Sequence, residues 1–340
     1  MIRVTIVAAL VAASPGARAE PRPGAQICSL GTAAVGQPGT LICKEISTGA
    51  TTQSIAIGNT VVGSGATGGT LSRHGGHVLV TNVAGGAVLF RQDDGRLTSP
   101  VTLQTGGENS LSGAVGDRGA YVVTRTQVLY FPFGRDRAAS SAALLVGDGS
   151  AAQVTLAGGF AYVSEKSGSL EAFALADDGN LAGTGSPVAG IPAGVIVGIT
   201  GLQDLVVAPV AHLASNANQA AVPVASGIET VQIVPTKEVA ACWAANDGRE
   251  ACITNPGSMT ISCGQFGPGG FKSYTSAAAN PVGETILDLD MTRDTVGVLG
   301  MHNGVPVLLA YARSADSDFL VRRNEIVRGT ARATGALLLP

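Results

Sequence analysis

Apolar residues in this chain come in short runs, each broken by polar or glycine residues and followed by a second run. Val78 to Phe90 holds two such runs around Gly85-Gly86, and Asp93-Asp94-Gly95-Arg96-Leu97 follows. Ala161 to Phe173 repeats the arrangement, with Asp177-Asp178-Gly179-Asn180-Leu181 after it. Ala251 to Cys263 and Gly297 to Tyr311 are further copies, and Ala120 to Phe131 is a shortened one. Each copy predicts a strand, a turn, a second strand and a turn of the Asp-Gly kind. No window of 11 or more residues sustains a helical period.

Spacing turns this pattern into an architecture. The third strand of each unit is expected near residues 44, 88, 130, 172, 222, 262 and 309, about 44 apart on average. That interval matches one blade of a propeller, typically about 40–50 residues. The chain is therefore expected to be all-β, a seven-bladed β-propeller of four-stranded antiparallel blades. The division that follows is a leader over 1–19, an N-terminal segment over 20–38, the propeller over 39–330 and a tail over 331–340. The fifth blade, around 193–236, is the weakest copy, with a polar loop expected over His212 to Gln219. The region 26–72 is irregular and is expected to hold one blade and a strand that closes the ring with the C-terminus.

Composition agrees. Of 340 residues, 47 are Gly, 4% are aromatic and 13% are charged, where a globular domain carries about 25% charged residues. Radially packed sheets need small residues where they converge. A hydrophobic fraction of 45% excludes disorder. With 21 Lys+Arg against 24 Asp+Glu there is no basic excess for nucleic acid.

The first residues read as a secretory leader: Arg3, the apolar stretch Val4 to Ala13, and the cleavage site Ala17-Arg18-Ala19. The expected mature chain starts at Glu20 and is periplasmic or secreted. No membrane span is expected after the leader, because Ala189 to Leu202 is broken by Pro192 and several Gly. Five cysteines suit an oxidising compartment. Two bonds and one free thiol can be drawn among them in about fifteen ways. Two local pairs stand out. Cys28 and Cys43 would close a short loop. Cys252 and Cys263 are symmetric about Gly257-Ser258, and Cys242 is left over. No zinc spacing such as C-x₂-C is present, so no metal is expected.

Val163-Ser164-Glu165-Lys166, the Asp-Asp-Gly-x-Leu turns, and Ala241-Cys242-Trp243 followed by Asn246-Asp247-Gly248-Arg249 resemble the lactonase-type seven-bladed propellers. That family includes 6-phosphogluconolactonases and fungal carboxymuconate cyclases. The resemblance covers residues 78–315 and implies a lactonase-type hydrolase or a cyclase without a cofactor. One departure is Ala208-Pro209-Val210 in the fifth blade, where relatives often carry a Ser-Glu-Ala.

Strand topology then names candidate residues. Loops between the second and third strands of each blade share a rim with the blade-to-blade loops. Asn82, Arg125, Glu165, Pro209, Asn255 and Met301-His302 fall there, with Lys166 beside Glu165 and His212 in the fifth-blade loop. The catalytic candidates are Glu165 as general base, Arg125 and His302. Asn82, Lys166, His212 and Asn255 are the ligand-binding candidates, with Arg125 and Lys166 suited to a carboxylate or phosphate. The expected function is an exported propeller that binds a small anionic or sugar-acid-like ligand, or an exported protein, on its rim. The alternative is lactone hydrolysis or a cyclase reaction. Other motifs read as structure. Arg73-His74-Gly75-Gly76-His77 is expected to be the turn between first and second strands. Gly63 to Gly68 matches G-x-G-x-x-G but precedes no helix. Cys242 reads as a packed thiol, and Asp93-Asp94 and Asp177-Asp178 as turn formers.

Overall fold

The structure, a computed structural model, describes residues 24–32, 37–61, 70–211, 216–223, 231–267, 270–278, 285–313, 319–327 and 332–340. The leader, the Gly63 to Gly68 motif and His212 lie outside the described residues. The strands form seven antiparallel sheets. Blade 1 contains β1 (Gln26–Thr32), β2 (Pro38–Glu45) and β3 (Thr51–Thr60), with β29 (Arg332–Leu339) beside β1. Blade 2 contains β4 (Leu71–His74), β5 (His77–Val83), β6 (Gly86–Asp93) and β7 (Arg96–Gln104). Blade 3 contains β8 (Ser112–Val115), β9 (Gly119–Val123), β10 (Gln127–Pro132) and β11 (Ser140–Ala143). Blade 4 contains β12 (Ala151–Ala157), β13 (Phe160–Glu165), β14 (Leu170–Ala174) and β15 (Ser186–Pro187).

Blade 5 has a split inner strand, β16 (Val195–Ile196) and β17 (Thr200–Leu202), then β18 (Leu205–Ala211), β19 (Asn216–Pro223) and β20 (Gln232–Val239). Blade 6 contains β21 (Ala244–Asn246), β22 (Glu250–Asn255), β23 (Thr260–Gly267) and β24 (Gly270–Ala278). Blade 7 contains β25 (Thr285–Met291), β26 (Thr295–His302), β27 (Val305–Arg313) and β28 (Phe319–Val327). The strands of each blade are called A to D from the axis outward.

The propeller extends beyond 39–330 at both ends. β1 lies N-terminal to that span, and the last residues form β29, the A strand of blade 1. β1 and β29 thereby share one sheet, which joins the first and last described strands at the seam. In blade 5, Asn216 to Gln219 belong to β19 rather than to a loop, because Asn218 pairs with Val210 and Gln219 with Pro209.

Burial explains which strands were easiest to see. The B strands are covered on both faces by neighbouring blades. β5, β9, β13, β18 and β22 are buried nearly throughout, so they read as continuous apolar runs. The D strand β7 is mostly exposed. The core divides into clusters that sit between successive blades. Val80 and Phe90 meet Leu30 and Leu41 between blades 1 and 2. Leu79 and Leu103 meet Val122 and Phe131 between blades 2 and 3. Trp243 packs with Met291 and Leu309 between blades 6 and 7. Convergence at the axis requires small residues: a Cβ on Gly113 would lie 2.4 Å from Leu79 Cδ2.

Two disulfides join B and C strands. Cys28 stands opposite Cys43 in the register of β1 and β2, with Cα atoms 4.0 Å apart. Cys252 stands opposite Cys263 in β22 and β23, at 4.1 Å. Both bonds are buried within clusters that face the next blade. Cys242 is a free thiol whose ionisation burial pushes up to about 12, so it is neutral at physiological pH.

Candidate functional site

An A strand pairs with its B strand on one edge, and its other edge faces the axis with N–H groups left over. Side chains from the adjacent blade meet them. Ser72 Oγ accepts from Val115 N at 3.1 Å, and Ser112 Oγ from Val154 N at 3.3 Å. Gln153 Oε1 accepts from Ile199 N at 2.7 Å and Thr155 Oγ1 from Gly201 N at 2.8 Å. Asn246 Nδ2 donates to Thr200 Oγ1 at 2.6 Å. At the seam the acceptors are carboxylates. Asp288 accepts from Leu289 N at 2.8 Å and Ala336 N at 3.2 Å, and Asp290 accepts from Leu338 N at 2.8 Å. Arg73 reaches Asp290 at 3.6 Å, so blades 7, 1 and 2 are tied together. Desolvation pushes the Asp288 carboxyl up to about 7, against two backbone hydrogen bonds that favour its charge.

These strands enclose a cavity of about 1020 Å³ that reaches the rim of the A–B turns. That is the rim opposite the one expected to carry the site. Its lining combines the inner-strand groups with the turns His74–His77 and Gly116–Arg118. The His74 turn joins β4 to β5 as expected, with positive φ at Gly75 and Gly76. His74 Nε2 lies 2.6 Å from Asp117 Oδ1, with both side chains exposed. Arg118 is exposed at the mouth and forms no ion pair among the described residues. Two guanidinium groups, Arg73 and Arg118, share the lining with four carboxyl groups, Asp117, Asp177, Asp288 and Asp290.

The opposite rim holds the residues expected from sequence. Glu165 ends β13 and is fully buried. Its Oε2 accepts from Ser150 Oγ at 2.8 Å, while Oε1 has no hydrogen-bond partner. Burial pushes its carboxyl up to about 7; Glu171 and Asp148 push the same way, and Ser150 and Lys166 oppose them. Glu171 is occupied, accepting from Leu145 N at 2.9 Å and Val146 N at 2.8 Å. Arg125 is exposed at the blade 3 turn and lies along Gly149, where a Cβ would stand 2.8 Å from its guanidinium. Lys166 is exposed, and its backbone N donates to Ser150 O at 2.8 Å. The loop Asp148 to Ser150 thus gathers Arg125, Glu165 and Lys166 into one corner between blades 3 and 4.

The remaining candidates stand elsewhere on the ring. Asn82, in blade 2, is buried with a φ of 62° and reaches Thr334 Oγ1 at 3.5 Å. Asn255, in blade 6, donates to Thr260 Oγ1 at 3.1 Å and Ser262 Oγ at 2.7 Å, and its buried Oδ1 has no partner. His302 ends β26, three blades from Glu165, and is half-buried. Sequence reasoning passed over Asp288 and Asp290. The signal was the i, i+2 pair of acids in the apolar strand Thr285 to Met291, which places both on one face.

Comparison with known proteins returns fold alone. The chain matches no family model and no curated protein. Solved structures do match. A functionally unknown protein from Desulfotomaculum acetoxidans is 13% identical, with a TM-score of 0.64 over 92% of this chain and 98% of that one. A candidate 6-phosphogluconolactonase from Bacteroides uniformis is 16% identical, with a TM-score of 0.60 over 92% and 98%. A chain of the nidogen/laminin complex is 9% identical, with a TM-score of 0.54 over 93% and 98%. This chain is a seven-bladed β-propeller. Its relation to the 6-phosphogluconolactonases is one of fold, and propellers with that shape serve both enzymes and protein complexes.

Proposed function

We propose that this propeller is exported and binds a small polar molecule, a sugar or sugar acid, in its central cavity. The observation that carries the reading is the cavity itself, about 1020 Å³ with Arg118 exposed at its mouth, where its charge also helps hold the Asp178 carboxyl low. Ligand sites are commonly clefts of about 300–1,000 Å³ with a few convergent polar groups. The amides of Gln92 and Gln203 line the same space and suit hydroxyl groups. Four carboxyl groups in the lining disfavour a multiply charged anion, so a single carboxylate paired with Arg118 is the most acidic ligand expected. Export is supported by the leader and by two disulfides. Calorimetry with aldoses and aldonic acids tests the ligand class. Absence of binding to every member would sink it. Cell fractionation and a mature N-terminus at Glu20 test export.

A second reading, lactone hydrolysis on the opposite rim, is favoured by Glu165. A buried carboxyl with an oxygen lacking a partner and ionisation near neutrality suits a general base. Turnover of a lactone panel, lost in Glu165→Gln, is the expected outcome. A lactone panel left untouched by the wild-type protein would remove this reading.

A further inference from the structure

The corner between blades 3 and 4 holds a second reactive group beside Glu165. Ser150 Oγ donates to Glu165 Oε2 at 2.8 Å and lies 3.2 Å from Ser167 Oγ. Ser150 is half-buried and Ser167 exposed, and the Asp148 carboxylate, held low by its hydrogen bond with the Ser150 side chain, stands on the same hydroxyl. Its backbone is held from both directions: Ser150 N donates to Asp148 Oδ1 at 2.7 Å, and Ser150 O accepts from Lys166 N at 2.8 Å. Gly149, just before it, has a φ of 81° and lets the Arg125 guanidinium lie against the chain. A nucleophile within hydrogen-bond reach of its base, on a fixed backbone with cations beside it, is the starting arrangement for covalent acyl transfer.

We propose that Ser150 is the nucleophile of an acyl-transfer site, with Glu165 as its base, acting on esters or lactones that carry a carboxylate. The inference rests on the second reading of Glu165 and is separate from the cavity on the other rim. Ser150 Oγ bonds to the carbonyl carbon and gives its proton to Glu165 Oε2. The carbonyl oxygen takes the electron pair and accepts a hydrogen bond from Ser167 Oγ. When the carbonyl re-forms, the bond to the alcohol oxygen breaks, and that oxygen takes the proton from Glu165. Water then attacks the Ser150 ester, losing its proton to Glu165. That proton returns to Ser150 Oγ as the acid departs. Arg125 and Lys166 hold the substrate carboxylate. Because Glu165 must be ionised to accept the proton, the rate rises with pH through neutrality.

The test treats the full mature chain with a fluorophosphonate probe and locates the adduct by mass spectrometry. Turnover of a carboxylate-bearing lactone is measured in parallel. The adduct is expected on Ser150, absent in Ser150→Ala and at least 100-fold slower to form in Glu165→Gln. Ser167→Ala should keep the adduct and form it more slowly. Matching circular dichroism melts show that the variants are folded. An adduct elsewhere, or none, overturns the proposal. Turnover that survives in Ser150→Ala but fails in Glu165→Gln also overturns it, and leaves Glu165 as a base acting directly on water.

Discussion

The two rims of the propeller differ in what their polar groups already do. Toward the A–B rim, Ser72, Ser112, Gln153, Thr155, Asp288 and Asp290 face the axis, yet each is engaged by a backbone N–H of the next blade. These groups satisfy strand edges, and only the mouth is free for a ligand. At the opposite corner, Glu165 is buried with one oxygen unsatisfied and like charges nearby. A polar residue beside a channel is thus weak evidence of function when it closes a structural hydrogen bond. A buried one left incomplete costs stability and calls for a functional reason.

The strongest way to break this contrast is Glu165→Gln. Lactone turnover should fall about 100-fold or more, the scale of a lost general base. Stability at pH 8 should rise in the same variant, because a buried carboxylate no longer has to be charged. Unchanged turnover would remove Glu165 from the chemistry.

Asp288→Ala should act on stability instead. It strips the acceptor from the Ala336 N–H across the seam and from Leu289 N in its own strand, at a cost of about 2–6 kcal/mol by urea denaturation, since each buried unsatisfied group costs about 1–3 kcal/mol. A cost near zero would mean that the seam does not depend on this carboxyl.

The pH dependence of stability sharpens the same point. Asp288 is raised from 3.8 to about 7 in the folded protein, so the folded state keeps a proton that the unfolded state releases within that window. Stability therefore falls as pH rises from about 4 to about 7. Glu165 acts in the same direction between 4.5 and about 7. Asp148 and Asp178 are lowered from 3.8 by exposed hydrogen bonds, so what little they contribute lies at more acid pH, outside this window. Melting curves should show a flatter pH response in Asp288→Asn than in the wild type. Equal slopes would argue that Asp288 is ionised in the fold.

Smaller effects belong to the cavity mouth. Arg118→Ala should weaken an aldonic acid about tenfold by calorimetry, the loss of one exposed charge-assisted contact. His74→Ala should shift stability by less than about 0.5 kcal/mol, since its pair with Asp117 is solvent-exposed. A large loss of ligand in His74→Ala alone would move the site from Arg118 to that turn.

The sequence by itself determined the blade repeat, its number and the B–C hairpins. The B strands lie between blades and must be apolar on both faces, so Val78 to Val83 or Ala161 to Val163 announce themselves. Each hairpin is a local pairing, which is why Cys252 and Cys263 could be placed opposite each other from their numbers alone. The A and D strands were faint. Their neighbours are solvent or an axis lined by polar links, and they need no apolar run. Only the tertiary structure decided that β29 completes blade 1, that Asp288 and Asp290 hold it there, and that the cavity reaches the A–B rim. It also decided the state of Glu165, whose letter in the sequence says carboxylate. Burial against the loop Asp148 to Ser150, with the charges of Glu171 and Asp148 beside it, pushes that carboxyl up to about 7 against the opposing pull of Ser150 and Lys166. Pairing within a hairpin is carried by adjacent residues. Burial and electrostatic environment come from segments that only the closed ring brings together.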